Sequence, residues 1–359
     1  MNKWFITLSG IAIIIFGILL YFLLKNNDSN TNLVNSHDTN NPINQNSVPP
    51  LIPLLASEIS SFIVTNNNTP IAIDINESLI SLNNNEVAST SEATAIKLNY
   101  KTNRIGLVAK LSDNKTLFIK NANNLLWNKI SSEPIIDFTF TADGQNLFYL
   151  ENTFPKKTLN IISFSSATST QNSWKKLALN TFALEGKIKL TAIDANNIFI
   201  ETASDISVFG NLLHYKVKEK TLELLSEKEA LNTIWNELFD TGLEASFNNG
   251  DYKMNLINNK GVSIQELDIK TFINKCAFES INLYCAIPKE FSMSKKVYEN
   301  YIMQSMFTND ELYKINTRTG EMTILNNIPT NIDITNILIK NNILYFIDRK
   351  TNLLFGVKI

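Results

Sequence analysis

Short runs of alternating apolar and polar residues, separated by turn residues, recur along most of this 359-residue chain. Residues 136–150 alternate β-favouring and polar positions, turn at Asp143-Gly144 and continue into a second β-rich run, which is typical of a hairpin. Further hairpins are predicted at residues 189–202, 276–288 and 336–348, with weaker ones at 96–111 and 245–257 and an outer one at 312–325. The pattern predicts an all-β fold.

The hairpins recur with a long and irregular period. Their turn centres lie near residues 103, 143, 195, 249, 280 and 341, about 48 residues apart on average. A period of about 40 to 50 residues with several strands in each repeat is typical of a β-propeller. We therefore predict six or seven blades, with residues 59–82 in the first blade and residues 353–359 pairing with it to close the ring. Two tandem β-sandwiches are the competing fold.

One segment has a different spacing. Residues 226–240 contain five apolar residues at helical intervals: Leu231, Ile234, Trp235, Leu238 and Phe239. Ser226 stands three residues before Glu229, as in a capping box, and Gly242 follows just beyond the end. We predict an amphipathic helix here. It would pack on the ring or its rim, or serve as a docking element for a partner.

The N-terminus contains an uncharged apolar run at residues 4–24. As a helix this run would be about 31 Å long, which matches a bilayer hydrocarbon core of about 30 Å. It has no small-x-small cleavage site, so a membrane anchor is favoured over a cleaved signal peptide. Lys3 precedes the run, whereas Lys25 and Asp28 follow it, so the positive-inside rule favours a cytoplasmic stub of residues 1–3.

The rest of the chain divides into a linker and one large domain. Residues 25–53 are rich in Asn, Ser and Pro and poor in large apolar side chains, so we expect a flexible linker. Residues 54–359 would form the extracytoplasmic β-propeller. The net charge is −2 and the basic residues form isolated pairs, which argues against nucleic acid as a partner.

The chain has two cysteines, Cys276 and Cys285, on either side of a predicted turn at Ser280-Ile281. A two-residue turn there makes the cysteines direct cross-strand partners, within disulfide range. A bridge would favour an oxidising compartment and hence the extracytoplasmic location. Two buried free thiols are the alternative.

Residues for chemistry are scarce. His37 lies in the linker, and His214 lies in a predicted strand where a structural role is favoured. No nucleophile, phosphate-loop, zinc or calcium motif occurs, so we predict no catalytic residue, no metal and no cofactor. A glycan hydrolase would need only two carboxylates. The carboxylates available for one are Asp137, Asp143, Asp194, Asp205, Asp240, Asp268 and Asp348.

A loop at residues 291–310 interrupts the repeats and is the predicted recognition site. Long loops on a rigid scaffold often carry binding residues, and Met with Tyr makes an adaptable contact surface. Its candidate residues are Tyr298, Tyr301, Met303, Met306 and Phe307. The alternative is that these side chains are buried against the propeller.

Two stretches carry a family resemblance. Residues 138–150, with Thr-Ala-Asp-Gly-Gln at 141–145, resemble the WD-like repeat of bacterial periplasmic and surface propellers. Residues 275–288, followed by Glu-Leu-Tyr-Lys-Ile-Asn-Thr-Arg-Thr-Gly at 311–320, resemble an uncharacterised group of single-pass, membrane-anchored propellers of candidate-phyla-radiation bacteria. The resemblance covers the anchor, the linker and most of the repeats. It implies fold and topology and supplies no catalytic residue.

Together these observations predict a non-enzymatic binding module at the bacterial cell envelope. The lipid bilayer would hold it through residues 4–24, and its partner would be a protein or an envelope polymer. A membrane-tethered propeller hydrolase that acts on glycans through paired carboxylates is the alternative.

Overall fold

The structure is a computed structural model that describes residues 51–81, 93–111, 114–121, 127–131, 133–164, 174–203, 208–289, 292–326, 328–329 and 331–359. The predicted anchor at residues 4–24 and all but the end of the predicted linker lie outside these residues. No helix within the described part is long and apolar enough to cross a membrane.

Within the described residues, the strands form six antiparallel sheets, each built from strands that follow one another in the chain. The first two sheets contain β1 (Ile59–Val64), β2 (Pro70–Asp74) and β3 (Leu79–Ser81), then β4 (Ala93–Asn99), β5 (Arg104–Leu111), β6 (Asn114–Asn121) and β7 (Asn128–Lys129). The third contains β8 (Ile135–Phe140), β9 (Asn146–Glu151), β10 (Lys157–Ser163) and β11 (Lys175–Phe182).

The fourth sheet has seven strands: β12 (Lys187–Ala192), β13 (Asn197–Ala203), β14 (Phe209–Lys216), β15 (Thr221–Trp235), β16 (Thr241–Asn248), β17 (Asp251–Asn258) and β18 (Ser263–Leu267). The fifth contains β19 (Cys276–Glu279), β20 (Asn282–Pro288), β21 (Asp310–Asn316) and β22 (Met322–Ile324). The sixth contains β23 (Ile334–Lys340), β24 (Ile343–Asp348) and β25 (Leu353–Lys358). The seven hairpins predicted from the sequence are confirmed.

The turns form because residues that tolerate a positive φ stand where the chain reverses. Gly144 has a φ of +68° between β8 and β9, and the pairing of Phe138 with Tyr149 follows from that turn. Asn341 and Asn342 have φ values of 51° and 60° between β23 and β24. Asn adopts this backbone region more readily than most residues, so the sequence fixes the register locally.

The predicted helix at residues 226–240 is wrong, because residues 221–235 form the long strand β15. The first part of β15 pairs with β14, and the part from Glu229 onwards pairs with β16. A bulge separates the two parts, with Ala230 at a φ of 51°. The extra residue of a bulge shifts the two-residue alternation by one position. Apolar residues on either side of it therefore acquire a spacing that resembles that of a helix.

The first strands of the sheets lie side by side around a common centre. Lys97 of β4 donates to an Asp137 oxygen of β8 at 2.6 Å, and the other Asp137 oxygen accepts from the backbone N–H of Leu190 in β12 at 2.7 Å. Lys189 of β12 donates to the carbonyl of Thr233 in the second part of β15. The same order continues from β15 to β19 and from β19 to β23, and β1 lies against β4.

The two ends of the described chain meet and close this ring. The backbone N–H of Leu54 donates to the carbonyl of Leu354 in β25 at 2.8 Å, and the N–H of Ile59 donates to the carbonyl of Asn352 at 2.6 Å. Leu55 is buried in a cluster with Ile347 and Leu354. The C-terminal run therefore pairs with β24 and meets Leu54 in the segment before β1, and Asn352 just before the run meets the first residue of β1, whereas the sequence predicts pairing with residues 59–82.

Connections alternate between two faces of the ring, because every sheet is antiparallel. The first-turn face carries the turn between the first two strands of each sheet and, in the fourth sheet, also the turn between β15 and β16. These turns are residues 65–69, 100–103, 141–145, 193–196, 236–240, 280–281 and 341–342. The opposite face carries the next connection of each, and there residues 292–309 form a long insert between β20 and β21. We name these residues the α1 insert and this side the insert face.

Candidate binding surface

The α1 insert contains one short helix, α1 (Lys295–Ile302), within the segment predicted as a loop. Ser294 caps the helix by accepting from the backbone N–H of Val297 at 3.3 Å. A backbone hydrogen bond of 2.9 Å from Lys289 to Asn309 closes the base of the insert next to β20 and β21. The insert is thus a folded protrusion on one sheet of the ring.

Two tyrosines of α1 point inwards and fasten the insert to the ring. The Tyr301 ring lies 3.4 Å from the Phe272 ring at an interplanar angle of 7°, and the Arg349 guanidinium lies 3.7 Å from the centroid of the Tyr301 ring. Tyr298 is buried among Phe247, Phe272 and neighbouring aromatic rings. Aromatic burial of this kind stabilises a protrusion that is too short to be stable alone.

Polar contacts orient both tyrosines. Asn232 donates to the hydroxyl of Tyr298 at 3.2 Å, and burial raises the pKa of Tyr298 to about 12, with the charge of Glu201 as a second cause. Arg349 donates to the carbonyl of Tyr301 at 2.8 Å. Burial also raises the pKa of Tyr301. Both phenols are therefore protonated at neutral pH.

The outer side of the insert exposes large apolar side chains. Met303 is 75% exposed, and Ile302 and Phe307 are also exposed, whereas Met306 is half-buried against the core. Of the five predicted recognition residues, the structure thus exposes Met303 and Phe307 and buries Tyr298 and Tyr301. The sequence reasoning missed Ile302, although it ends α1 beside Met303.

Other loop tips on the insert face are apolar as well. Phe154, in the connection from β9 to β10, is 93% exposed. Ile75, Val208 and Phe209, in or beside the corresponding connections of the first and fourth sheets, are exposed too. These connections lie on the insert face because each joins the second strand of its sheet to the third, as the α1 insert does. The chain also enters the third sheet on this face, where the backbone N–H of Asn152 donates to the carbonyl of Pro134 at 2.8 Å.

The two cysteines lie next to the base of the insert. Cys276 and Cys285 are directly opposite in β19 and β20, with Cα atoms 4.2 Å apart and their sulfur atoms bonded at 2.09 Å. Both side chains are buried. The register follows from the two-residue turn at Ser280-Ile281, as the sequence predicts.

Other candidates for chemistry are engaged in local structure. Asp143 and Asp194 accept from backbone N–H groups in their own turns, and Asp348 accepts from the N–H groups of Asp333 and Lys350. Asp205 lies outside the described residues. His214 contacts Asn197 at 3.0 Å, and burial lowers its pKa. Within the described ranges, no group of three or more His, Cys, Asp and Glu side chains could hold a metal ion.

One pair of carboxylates converges, and sequence reasoning missed it. Asp310 and Asp333 both contact the Lys275 amine, and all three side chains are 0% exposed. A glycosidase needs carboxylates that substrate and water can reach. This pair is closed to both, so it does not supply the accessible site that the hydrolase alternative requires.

The comparisons with known proteins agree on the fold. The chain resembles the β-propeller domain of Cps50 (Swd1) from Myceliophteria thermophila, with a TM-score of 0.53, 9% identity, and coverage of 87% of this chain and 99% of that one. It also resembles the tricorn protease, with a TM-score of 0.54, 8% identity, and coverage of 87% of this chain and 34% of that one. No protein-family model and no curated protein sequence matches the chain.

A third similar structure is an acylaminoacyl peptidase from Pyrococcus horikoshii, with a TM-score of 0.54, 10% identity, and coverage of 81% of this chain and 49% of that one. The chain thus spans about a third of the tricorn protease and about half of this peptidase. At such identities the likeness shows the fold alone. The predicted all-β fold and its β-propeller architecture are confirmed.

Proposed function

We propose that the propeller is a non-catalytic binding module and that the insert face, centred on Ile302, Met303 and Phe307, contacts a protein partner. The observation that carries this proposal is the contrast within the α1 insert. Buried aromatic and polar contacts fix its inner side, while its outer side presents apolar side chains to solvent. Rigid anchoring lowers the entropy that a partner must remove on binding.

The chemistry of the surface favours a protein over an envelope polymer. Met, Ile and Phe offer apolar area with few hydrogen-bonding groups, whereas a polysaccharide would require hydroxyl-binding polar side chains. Met and aromatic residues are enriched at the centres of protein interfaces. The apolar tips Ile75, Phe154 and Phe209 on the same face extend the surface beyond the insert.

We further infer that the ring has seven blades. The two parts of β15 pair with different neighbours, so β12 to the first part of β15 form one four-stranded blade. The second part of β15 with β16 to β18 forms the next. The other five sheets supply one blade each.

The location is also part of the proposal. Residues 4–24 would anchor the chain in the cell membrane with residues 1–3 in the cytoplasm and the propeller outside, as the flanking charges favour. The pairing of Cys276 with Cys285 supports an oxidising compartment. A protease added to intact cells should cut the linker between residues 26 and 53, whereas full protection would reverse the orientation.

Site-specific cross-linking tests the binding surface. A photo-reactive amino acid in place of Met303 should cross-link one protein partner in intact cells, and Phe307→Asp in the same chain should reduce that product at least about tenfold, about 1.4 kcal/mol of binding. The control is the same photo-reactive residue at Leu238, which is 78% exposed on the first-turn face. Equal products from both positions, or a product consisting of polymer, would contradict the proposal.

A further inference from the structure

Lys275 is a fully enclosed amine at the start of the fifth sheet. Its Nζ lies 2.5 Å from an Asp310 oxygen, 2.6 Å from an Asp333 oxygen and 2.7 Å from the hydroxyl of Thr308. The side chains of Lys275 and both aspartates are 0% exposed. The aromatic ring of Tyr301 lies 5.4 Å from the amine and closes the site on another side.

The charges around this amine are arranged unevenly. Arg349 lies 3.3 Å from Asp333 and neutralises it, so among the residues that the structure describes Asp310 has Lys275 alone as a counter-charge. Burial raises the pKa of Asp310, with Lys275 acting against it. Keeping an ammonium and a carboxylate both ionised without water is costly. Converting them into a neutral amide would remove one buried ion pair and leave the Arg349–Asp333 pair balanced.

The carboxyl group of Asp310 is placed to accept attack by the amine. A contact of 2.5 Å to its oxygen puts the carboxyl carbon no more than about 3.7 Å from Nζ, given a C–O bond of about 1.2 Å, close to the range of a near-attack geometry. The backbone N–H of Ile334 donates to Oδ2 of Asp310 at 2.7 Å, and the hydroxyl of Thr308 donates to Oδ1 at 2.8 Å. These donors would stabilise an oxyanion that develops there.

We propose that Lys275 and Asp310 form an intramolecular isopeptide bond, with Asp333 carrying the proton. The Lys275 ammonium gives one proton to Asp310, and the resulting neutral amine attacks the carboxyl carbon of the now protonated Asp310, so a C–N bond forms. Asp333 accepts a second proton from the bonded nitrogen and passes it to the Asp310 hydroxyl. One C–O bond then breaks, the hydroxyl departs as water, one proton remains on the amide nitrogen, and Asp333 returns to its carboxylate form. No oxidant, reductant or cofactor is required.

The bond would join the start of β19 to the start of β21. These strands lie on either side of β20, and the chain between them contains both the disulfide and the α1 insert. The cross-link would therefore lock the base of the insert independently of the cysteines. It would hold the proposed contact surface in place under reducing conditions as well.

Mass spectrometry of the purified full-length chain decides the matter. After denaturation and reduction, the intact mass should be one water lower than the mass of the sequence, and digestion should yield a branched peptide that links Lys275 to Asp310. An intact mass equal to that of the unmodified chain would overturn the proposal. Because the measurement uses the denatured wild-type chain, it does not depend on whether any variant folds.

Variants test the roles of the residues. Lys275→Arg keeps the positive charge but cannot form the amide, and Asp333→Asn removes the proton carrier, so both should have the full mass of their sequences. Retention of the water loss in Asp333→Asn would overturn the role of Asp333. The matched internal control is the half-exposed pair of Lys289 and Glu311, whose charged atoms lie 2.7 Å apart. Water can reach that pair, so no branched peptide is expected from it.

Discussion

Arg349 shows how a single side chain connects the α1 insert to the ring. Its guanidinium packs on the ring of Tyr301, donates to the carbonyl of the same residue and pairs with the buried Asp333. A planar group with several donors can do all three at once, whereas a lysine amine cannot. The position of the exposed surface thus depends on a residue far from it in the sequence.

We predict that Arg349→Met lowers the free energy of unfolding by about 3 kcal/mol, because it leaves the carboxylate of Asp333 without its guanidinium partner. Urea denaturation followed by tryptophan fluorescence measures the loss. The control is the adjacent Lys350→Met. Lys350 is exposed and bonds Asn309 and Asn331 at the surface, so its loss should stay within about 1 kcal/mol.

A second prediction concerns two glycines with positive φ. A Cβ at Gly144 would lie 2.3 Å from the side-chain oxygen of Asn99. That oxygen accepts from the backbone N–H of Thr102, and the Asn99 amide nitrogen donates to the carbonyl of Thr141, so the side chain is held in place. A Cβ at Gly250 would meet nothing within 4 Å. Both changes to Ala strain the backbone, but Gly144→Ala should cost at least about 1 kcal/mol more, since it also overpacks the turn. Equal midpoints in urea for the two variants would refute this explanation.

The sequence indicated the segment that carries the proposed contact surface, but not the inward or outward direction of its side chains. Tyr298 and Tyr301 are three positions apart and share the buried side of α1, whereas Met303 and Phe307 follow after the helix ends. The cluster of Lys275, Asp310 and Asp333 could not be found from local pattern. Asp310 and Asp333 lie 35 and 58 residues from Lys275 in the sequence, and only the fold brings the three side chains together.

Strand β15 is the element on which the interpretation of the fourth sheet depends. Its bulge at Ala230 separates the part that pairs with β14 from the part that pairs with β16. The two residues of the predicted capping box have other partners: Ser226 donates to Glu244 at 2.9 Å, and Glu229 pairs with Lys295 at 2.6 Å. Hairpins with Asp-Gly or Asn-Asn turns were predictable because their signals are local. A bulged strand has no such signal.

The bulge predicts an unusual response to glycine. Ala230 is buried but has a φ of 51°, a region that costs residues with a side chain about 1 to 2 kcal/mol. Ala230→Gly should therefore leave the free energy of unfolding within about 0.5 kcal/mol of the parent value, because relief of strain offsets the lost methyl contacts. Ala245→Gly, at a buried site in the neighbouring strand without a positive φ, should cost at least about 1 kcal/mol. If Ala230→Gly and Ala245→Gly lowered the free energy of unfolding equally in urea denaturation, the bulge at Ala230 would be refuted.

The disulfide joins β19 and β20 across a short turn. Replacing both Cys276 and Cys285 with Ala should lower the free energy of unfolding by about 2 to 3 kcal/mol under oxidising conditions. Under reducing conditions the parent and the double variant should differ less. Because both side chains are buried, alkylation of the native protein would not report their redox state. The labelling must follow unfolding without reductant, and labelling of the parent under those conditions would exclude the bridge.

For the whole molecule, the segment before β1 closes the ring. We predict that Leu55→Ala lowers the free energy of unfolding by about 2 to 3 kcal/mol, because Leu55 packs against Ile347 and Leu354 where the ends of the chain meet. Ile52→Ala, at an exposed position in the same segment, should change it by less than about 0.5 kcal/mol. Similar unfolding midpoints for both variants would show that this contact does not hold the ring together.

The same closure affects the order of events during synthesis. Residues 51–59 leave the ribosome long before β25, their partner, has been made, so the nascent propeller must wait with open strand edges until β25 has emerged. Long-range pairing of this kind slows folding and leaves apolar edges accessible to aggregation or to chaperones. Truncation from the C-terminus should therefore yield aggregates, even when every earlier blade is intact. Size-exclusion chromatography of a chain that ends before β25 would show this.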